Sequence, residues 1–372
     1  MFEETRPYND NEIPAAIGRL ASHPYFPIVC SYLFPHQEID YLRTEFSKIT
    51  TVNEFQDKVM YKLLTATIAK TTNGFEYSGL ERLTDEHKCT FIGNHRDIVL
   101  DASLLQYALY CSHLDTSEIT FGDNLMKGEF VTDFGKINKM FRIVRGGNIK
   151  DFYKNSMEVS SYMRYAITQK NQSTWIAQRN GRTKDGFDKT EPGVLKMLAM
   201  SSDKDFIENL TELNITPIAI SYEYESCDFL KAQELYVSRY QKYVKAPNED
   251  FNSILCGITQ PKGQVSMVVT PSITLEELEK CSLFSKTDRF SYLAKIIDKR
   301  IVSNYKLFKN NYIAYDILQG SSMFAANYTN QEKKDFIEYM KNGLDKIEGD
   351  KDELTSIFLG IYANPVRNML NN

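Results

Sequence analysis

The order of segments in the sequence predicts an α/β protein, a sheet flanked by helices and set between helical N-terminal and C-terminal layers. Three observations carry that expectation. Residues 86–272 alternate short β-branched or aromatic runs with longer helical ones, residues 1–85 are mostly helical in pattern, and residues 273–372 hold long helical patterns without a convincing strand.

In the first region the clearest element is Asn53 to Lys70, NEFQDKVMYKLLTATIAK, whose apolar residues recur at helical spacing before the polar, glycine-containing TTNGFEYSG. The segment YFPIVCSYLFP, Tyr25 to Pro35, is far below the ~20 residues that a spanning helix needs. It reads as a buried piece of the N-terminal layer or as an interfacial element. In the second region CTFIG, EITFG, FRIVR, STWIAQ, TPIAISYEY and QVSMVVTP read as strands. DIVLDASLLQYALY and NIKDFYKNSMEVSSYMRYAITQ read as helices between them. The third region is typified by DRFSYLAKIIDKRIVSNYKLF.

A chain of 372 residues, 42% hydrophobic and 25% charged, has ample material for a large core. Its net charge of -5 argues against a general nucleic-acid binder, which needs a basic face to displace counterions from phosphates. Six cysteines without a CxxC pair suggest neither a structural zinc site nor a disulfide framework, and are expected to be reduced thiols in a cytoplasmic protein. The start, MFEETRPYNDNEIP, lacks the basic end and apolar run of a secretory signal.

Ligands of α/β sheets bind beyond the carboxyl ends of strands, so polar residues directly after a strand are the candidates for chemistry. Three loops qualify. In Gly93-Asn94-His95-Arg96-Asp97 an imidazole follows a strand, and Asp101 lies one turn into the next helix. A carboxylate there fixes the imidazole tautomer and stabilises the imidazolium, which suits proton abstraction. Such a pair is also compatible with a structural role, and Asp97 with a helix N-terminal acid. In FRIVRGG, Arg145 precedes two glycines, a fork for a phosphate or carboxylate where backbone can approach closely. From Lys127 to Lys150 six basic residues stand against Glu129 and Asp133. That stretch fits an acidic carrier protein, an anionic membrane surface or a solvated helix face. In Arg179-Asn180-Gly181-Arg182-Thr183-Lys184-Asp185-Gly186, basic groups around glycines form a phosphate or oxyanion cradle, or a charged surface turn.

In type, order and spacing from Asn94 to Ile220 these loops resemble the blocks of the glycerol-phosphate and lysophosphatidate acyltransferase superfamily, in a bacterial branch with a variant His-Asp motif. Asn94, His95 and Asp101 resemble its first block, although five residues lie between His95 and Asp101 where the family usually has four. Phe141 and Arg145 echo the second block, with one extra residue between them. Gln178 to Thr183 fall on the third block, with Asn180 in place of its glutamate, and Ile215 to Ile220 fall on the fourth.

The resemblance implies a mixed α/β acyltransferase fold and direct transfer of a fatty acyl group, without a covalent acyl-enzyme or a metal. The donor is acyl-CoA, an acyl carrier protein thioester or acyl phosphate, and the acceptor a glycerol-phosphate, a lysophospholipid or a related lipid. His95 is then the general base, oriented by Asp101 or Asp97. Asn94, Arg96, Arg145, Arg179, Asn180, Gly181, Arg182 and Lys184 hold the acceptor's anion or the developing oxyanion. A peripheral contact with the cytoplasmic membrane face goes with such an acceptor. Two other readings compete. Gly93-Asn94-His95 also occurs in metal-dependent phosphoesterases, but those place ligands before this string and histidines well after it, and here the last histidine is His113. The altered third block also fits an inactive lipid- or carrier-binding module.

Overall fold

The computed structural model describes residues 2–126, 128–144 and 146–372. Seven strands form one sheet: β1 (Thr72–Ser78), β2 (Thr90–Gly93), β3 (Glu118–Gly122), β4 (Met140–Ile143), β5 (Thr174–Ala177), β6 (Ile215–Tyr222) and β7 (Gly263–Val269). Their spatial order is β1-β7-β6-β2-β5-β3-β4. β2 to β6 run parallel, β7 is antiparallel to β6, and β1 is parallel to β7, so the sheet is mixed.

The central strands are apolar on both faces, as strands covered on both sides must be. Successive residues alternate between two cores. Phe91, Trp175 and Ile218 pack with helix Leu100–Cys111, whereas Ile92, Ile176 and Ala219 pack beneath helices Ile149–Thr168, Pro192–Leu198 and Asp288–Asn304. The N-terminal helices, from Ile13–Ser22 to the π-wound stretch within residues 52–71, enclose a core of their own. Ile137, near the sheet's outer edge, joins it. A fourth core lies among helices Asp228–Tyr240, Lys309–Gln319, Asn330–Leu344 and Lys351–Leu370.

One expectation needs correction. TTNGFEYSG is not a linker ending a helical region, because most of it forms edge strand β1, paired along β7. Its alternating half-burial, with Phe75 and Tyr77 packed on the sheet's core, escaped notice because threonine, asparagine and glycine dominate the run. The C-terminal helices form the expected layer, Phe290, Leu293 and Ile297 sharing one core with the strands they cover. Tyr25 to Pro35 contains helix Phe26–Leu33, with Phe26 and Cys30 buried but Tyr25 and Ile28 exposed.

A candidate active site at the carboxyl edge of the parallel strands

β2 ends at Gly93, and the chain turns sharply over Asn94 to Val99 before helix Leu100–Cys111 begins. Asp97 accepts from the backbone N–H groups of Val99 and Leu100, each at 2.8 Å, satisfying two of the free donors at that helix start. Its second carboxylate oxygen accepts from the Ser226 hydroxyl. Both oxygens of Asp97 are thus engaged away from His95.

Asp101 meets the imidazole instead: His95 Nδ1 lies 3.0 Å from Asp101 Oδ2. The same oxygen accepts from the N–H groups of Arg96 at 2.7 Å and Asp97 at 2.9 Å, and Oδ1 accepts from the Tyr222 hydroxyl at 2.8 Å. Every other hydrogen-bond partner of this carboxylate is a donor, so the His95 contact is one in which Nδ1 carries the hydrogen, which turns Nε2 away from Asp101. His95 is only 9% exposed, and its ring meets the Trp175 ring edge-on at 6.1 Å. Burial pushes the Tyr222 phenol well above its ordinary pKa, and the nearby Asp101 carboxylate adds to that, so it stays a hydrogen donor.

The neighbouring groups divide sharply. Asn94 is wholly buried and bonded to the backbone of β6 in both directions, donating to Ile220 O at 3.0 Å and accepting from Ile220 N at 2.8 Å. Arg96, expected among the acceptor-binding groups, has no exposed surface. Its guanidinium pairs with Asp188 and with Glu225 at 3.1 Å and lies over the Tyr305 ring at 5.0 Å. Burial alone would lower its pKa, but Asp188 and Glu225 hold it well above the ordinary value. Lys231, buried too, donates to the Arg96 carbonyl at 2.8 Å and to Glu225 at 2.6 Å. Two cations and two carboxylates therefore offset one another under the His95 loop, and Arg96 and Asn94 are both closed off from solvent. Arg96, between His95 and Asp101 in sequence, was grouped with the acceptor-binding residues for its charge, and sequence alone does not show that it points inward.

The loop after β5 lies beside that of β2, because the strands are paired and the Thr183 N–H donates to the His95 carbonyl at 2.8 Å. Arg179 Nε and Arg182 Nη1 are buried atoms without a hydrogen-bond partner among the described residues. Lys184 instead pairs with Glu234, and Asn180 is exposed, its N–H donating to Glu191 at 3.2 Å. Gly181 takes a positive φ of 81°, which lets the loop turn back. Arg145 lies outside the described residues. The strand before it, β4, ends on the same edge as β2 three strands away, roughly 14 Å at ordinary strand spacing. Of the basic stretch around it, Lys139 is turned to structure, donating to Thr116 O and Gln172, each at 3.2 Å.

Sequence reasoning missed Tyr222, Ser226, Glu225 and Asp188. The first three lie at or just beyond the end of β6, and only the adjacency of β6 to β2 reveals what they touch. Among the described residues no three His, Cys, Asp or Glu side chains gather as a metal ion would require. No helix among them is long and apolar enough to cross a membrane.

Residues 74–221 match a protein family described as Acyltransferase. Comparison with curated proteins finds no match. Among solved structures, the chain is similar to the 1-acyl-sn-glycerophosphate (LPA) acyltransferase PlsC from Thermotoga maritima. That likeness has 12% sequence identity and a TM-score of 0.38, and covers 78% of this chain and 91% of that one.

Proposed function

We propose, for a chain that carries a domain of the glycerolipid acyltransferase superfamily over residues 74–221, that it transfers a fatty acyl group from an acyl thioester to the hydroxyl of a glycerol-phosphate, a lysophospholipid or a related lipid, with His95 as general base. The observation that carries this reading is the 3.0 Å contact between His95 Nδ1 and an Asp101 carboxylate held by three further donors.

With Nδ1–H committed to Asp101, Nε2 takes the acceptor's hydroxyl proton as the acceptor oxygen bonds to the thioester carbonyl carbon. The tetrahedral intermediate collapses with cleavage of the carbon–sulfur bond, and the imidazolium returns its proton to the departing thiolate. Asp101 stabilises the imidazolium between those two events. Arg179 Nε and Arg182 Nη1, buried donors without partners beside the His95 loop, support a role in holding the acceptor's phosphate or the oxyanion.

The test is transfer of a labelled acyl chain from acyl-CoA or an acyl carrier protein thioester to a panel of glycerol-phosphate and lysophospholipid acceptors. His95→Ala is expected to lower kcat/KM by ~10²-fold or more with the fold intact. Asp101→Asn should cost less than that but more than Asp97→Asn, since asparagine serves a helix N-terminus about as well as aspartate. Chelators should leave the rate unchanged. Equal losses at Asp97 and Asp101, or activity that vanishes with chelation and returns with manganese or zinc, would overturn the reading.

A further inference from the structure

Helix Ile149–Thr168 starts six positions after the last residue of β4, so its first turn stands on the edge of the sheet that carries His95. Its later turns bury Val159, Tyr162 and Met163 against the sheet. The apolar stripe does not end there. Phe152 lies two turns ahead of Val159, and Ile149, Phe152 and Tyr153, at i, i+3 and i+4, continue the same face beyond the body of the protein. They are 91%, 62% and 60% exposed. Single exposed apolar residues are ordinary, but three on one helical turn form a contiguous patch. Lys150 and Lys154, both exposed, flank it on one side, and among the described residues neither ammonium pairs with a carboxylate. The neighbouring loop after β3 is bridged by Asn124 to Asp250 at 3.0 Å, at the start of helix Glu249–Thr259. That helix exposes Phe251 and Leu255 one turn apart.

We infer that the first turn of helix Ile149–Thr168 is a docking surface for an anionic phospholipid bilayer, inserting Ile149, Phe152 and Tyr153 between headgroups with Lys150 and Lys154 at the phosphate level. The inference rests on the acyl-transfer reading only for its purpose, which is to bring the carboxyl edge of the sheet to acceptors embedded in a membrane. The size of the patch chooses the partner. A stable protein interface covers roughly 800 Å² on each side, far more than one helical turn presents, whereas a bilayer takes up a few apolar side chains beside cationic ones.

The test uses the full chain and sedimentation with vesicles of phosphatidylcholine alone or with an equal share of phosphatidylglycerol, and it needs no turnover. The wild-type protein should pellet with the anionic vesicles. The double variant Phe152→Ser, Tyr153→Ser should partition about tenfold less. Lys150→Glu with Lys154→Glu should erase the preference for anionic over neutral vesicles. All of these side chains are exposed, so thermal unfolding and transfer to a water-soluble acceptor should stay unchanged. A wild-type protein that fails to pellet, or a Ser variant that pellets as well as it, overturns the inference even if acyl transfer is demonstrated. Loss by the variants of transfer from a soluble acyl carrier protein to a soluble acceptor would assign the patch to the carrier and overturn it equally.

Discussion

His95 is positioned less by its own contacts than by those of its partner. Asp101 receives hydrogen bonds from two backbone groups and from Tyr222, and the tyrosine reaches it from a different strand. Tyr222→Phe removes one donor while keeping the ring that fills the core. The expected result is a drop in kcat of roughly threefold to tenfold, the size of one neutral hydrogen bond. An unchanged kcat would reduce Tyr222 to a packing residue. The pair of His95 and Asp101 was legible in the sequence because both lie within one turn of a strand-to-helix junction. Tyr222 was not, because a tyrosine at the end of an apolar run carries no mark of which strand lies beside it. Arg96 misled for a related reason: a charged side chain in a loop reads as exposed until its counterions, Asp188 and Glu225, are seen converging from two distant segments.

At the scale of elements, the strands were read correctly wherever burial on both faces imposes a run of apolar residues, as in TFIG and TWIA. The run at β1 was missed because an edge strand needs only one apolar face. The loop after β5 shows how a weak local signal gains meaning from its setting. Gly186 has a φ of 83°, and a Cβ built there would sit 2.2 Å from the carbonyl oxygen of Ile361 in helix Lys351–Leu370. Asn364 in that helix donates to Asp185 O at 2.7 Å. The loop is thereby pressed between the C-terminal helix and His95, whose carbonyl it binds through Thr183. Gly186→Ala combines a disfavoured backbone with a backbone clash, and should lower stability by about 1–3 kcal/mol in urea unfolding. It should also raise KM for the acceptor more than it lowers kcat, because Arg179 and Arg182 ride on the same loop. A neutral outcome would mean that the helix yields and that the loop is not held by it.

Across the whole molecule, the helices after residue 272 cover one face of the sheet and reach the site from behind. Tyr305 lies over Arg96, Asn310 donates to Glu223 O at 2.9 Å, and the Tyr362 hydroxyl accepts from Glu225 N at 3.0 Å. These contacts join residues far apart in sequence, so no reading of local pattern anticipates them. They bear on where this chain can be cut. A fragment spanning residues 74–221 would keep the imidazole, its aspartate and all three loops, yet it stops one residue short of Tyr222 and omits Glu225 and Lys231. Arg96 would be left with a single carboxylate in a cavity opened to water on its Tyr305 side. Phe290, Leu293 and Ile297, which cover one face of the sheet, would be lost as well, baring that core to water. Expressed alone, the fragment should be insoluble or should melt without a cooperative transition in calorimetry, whereas the full chain unfolds as a unit. The smallest self-sufficient folding unit is thus nearly the entire polypeptide, and the segment that bears His95 and Asp101 is a tenant of the scaffold around it.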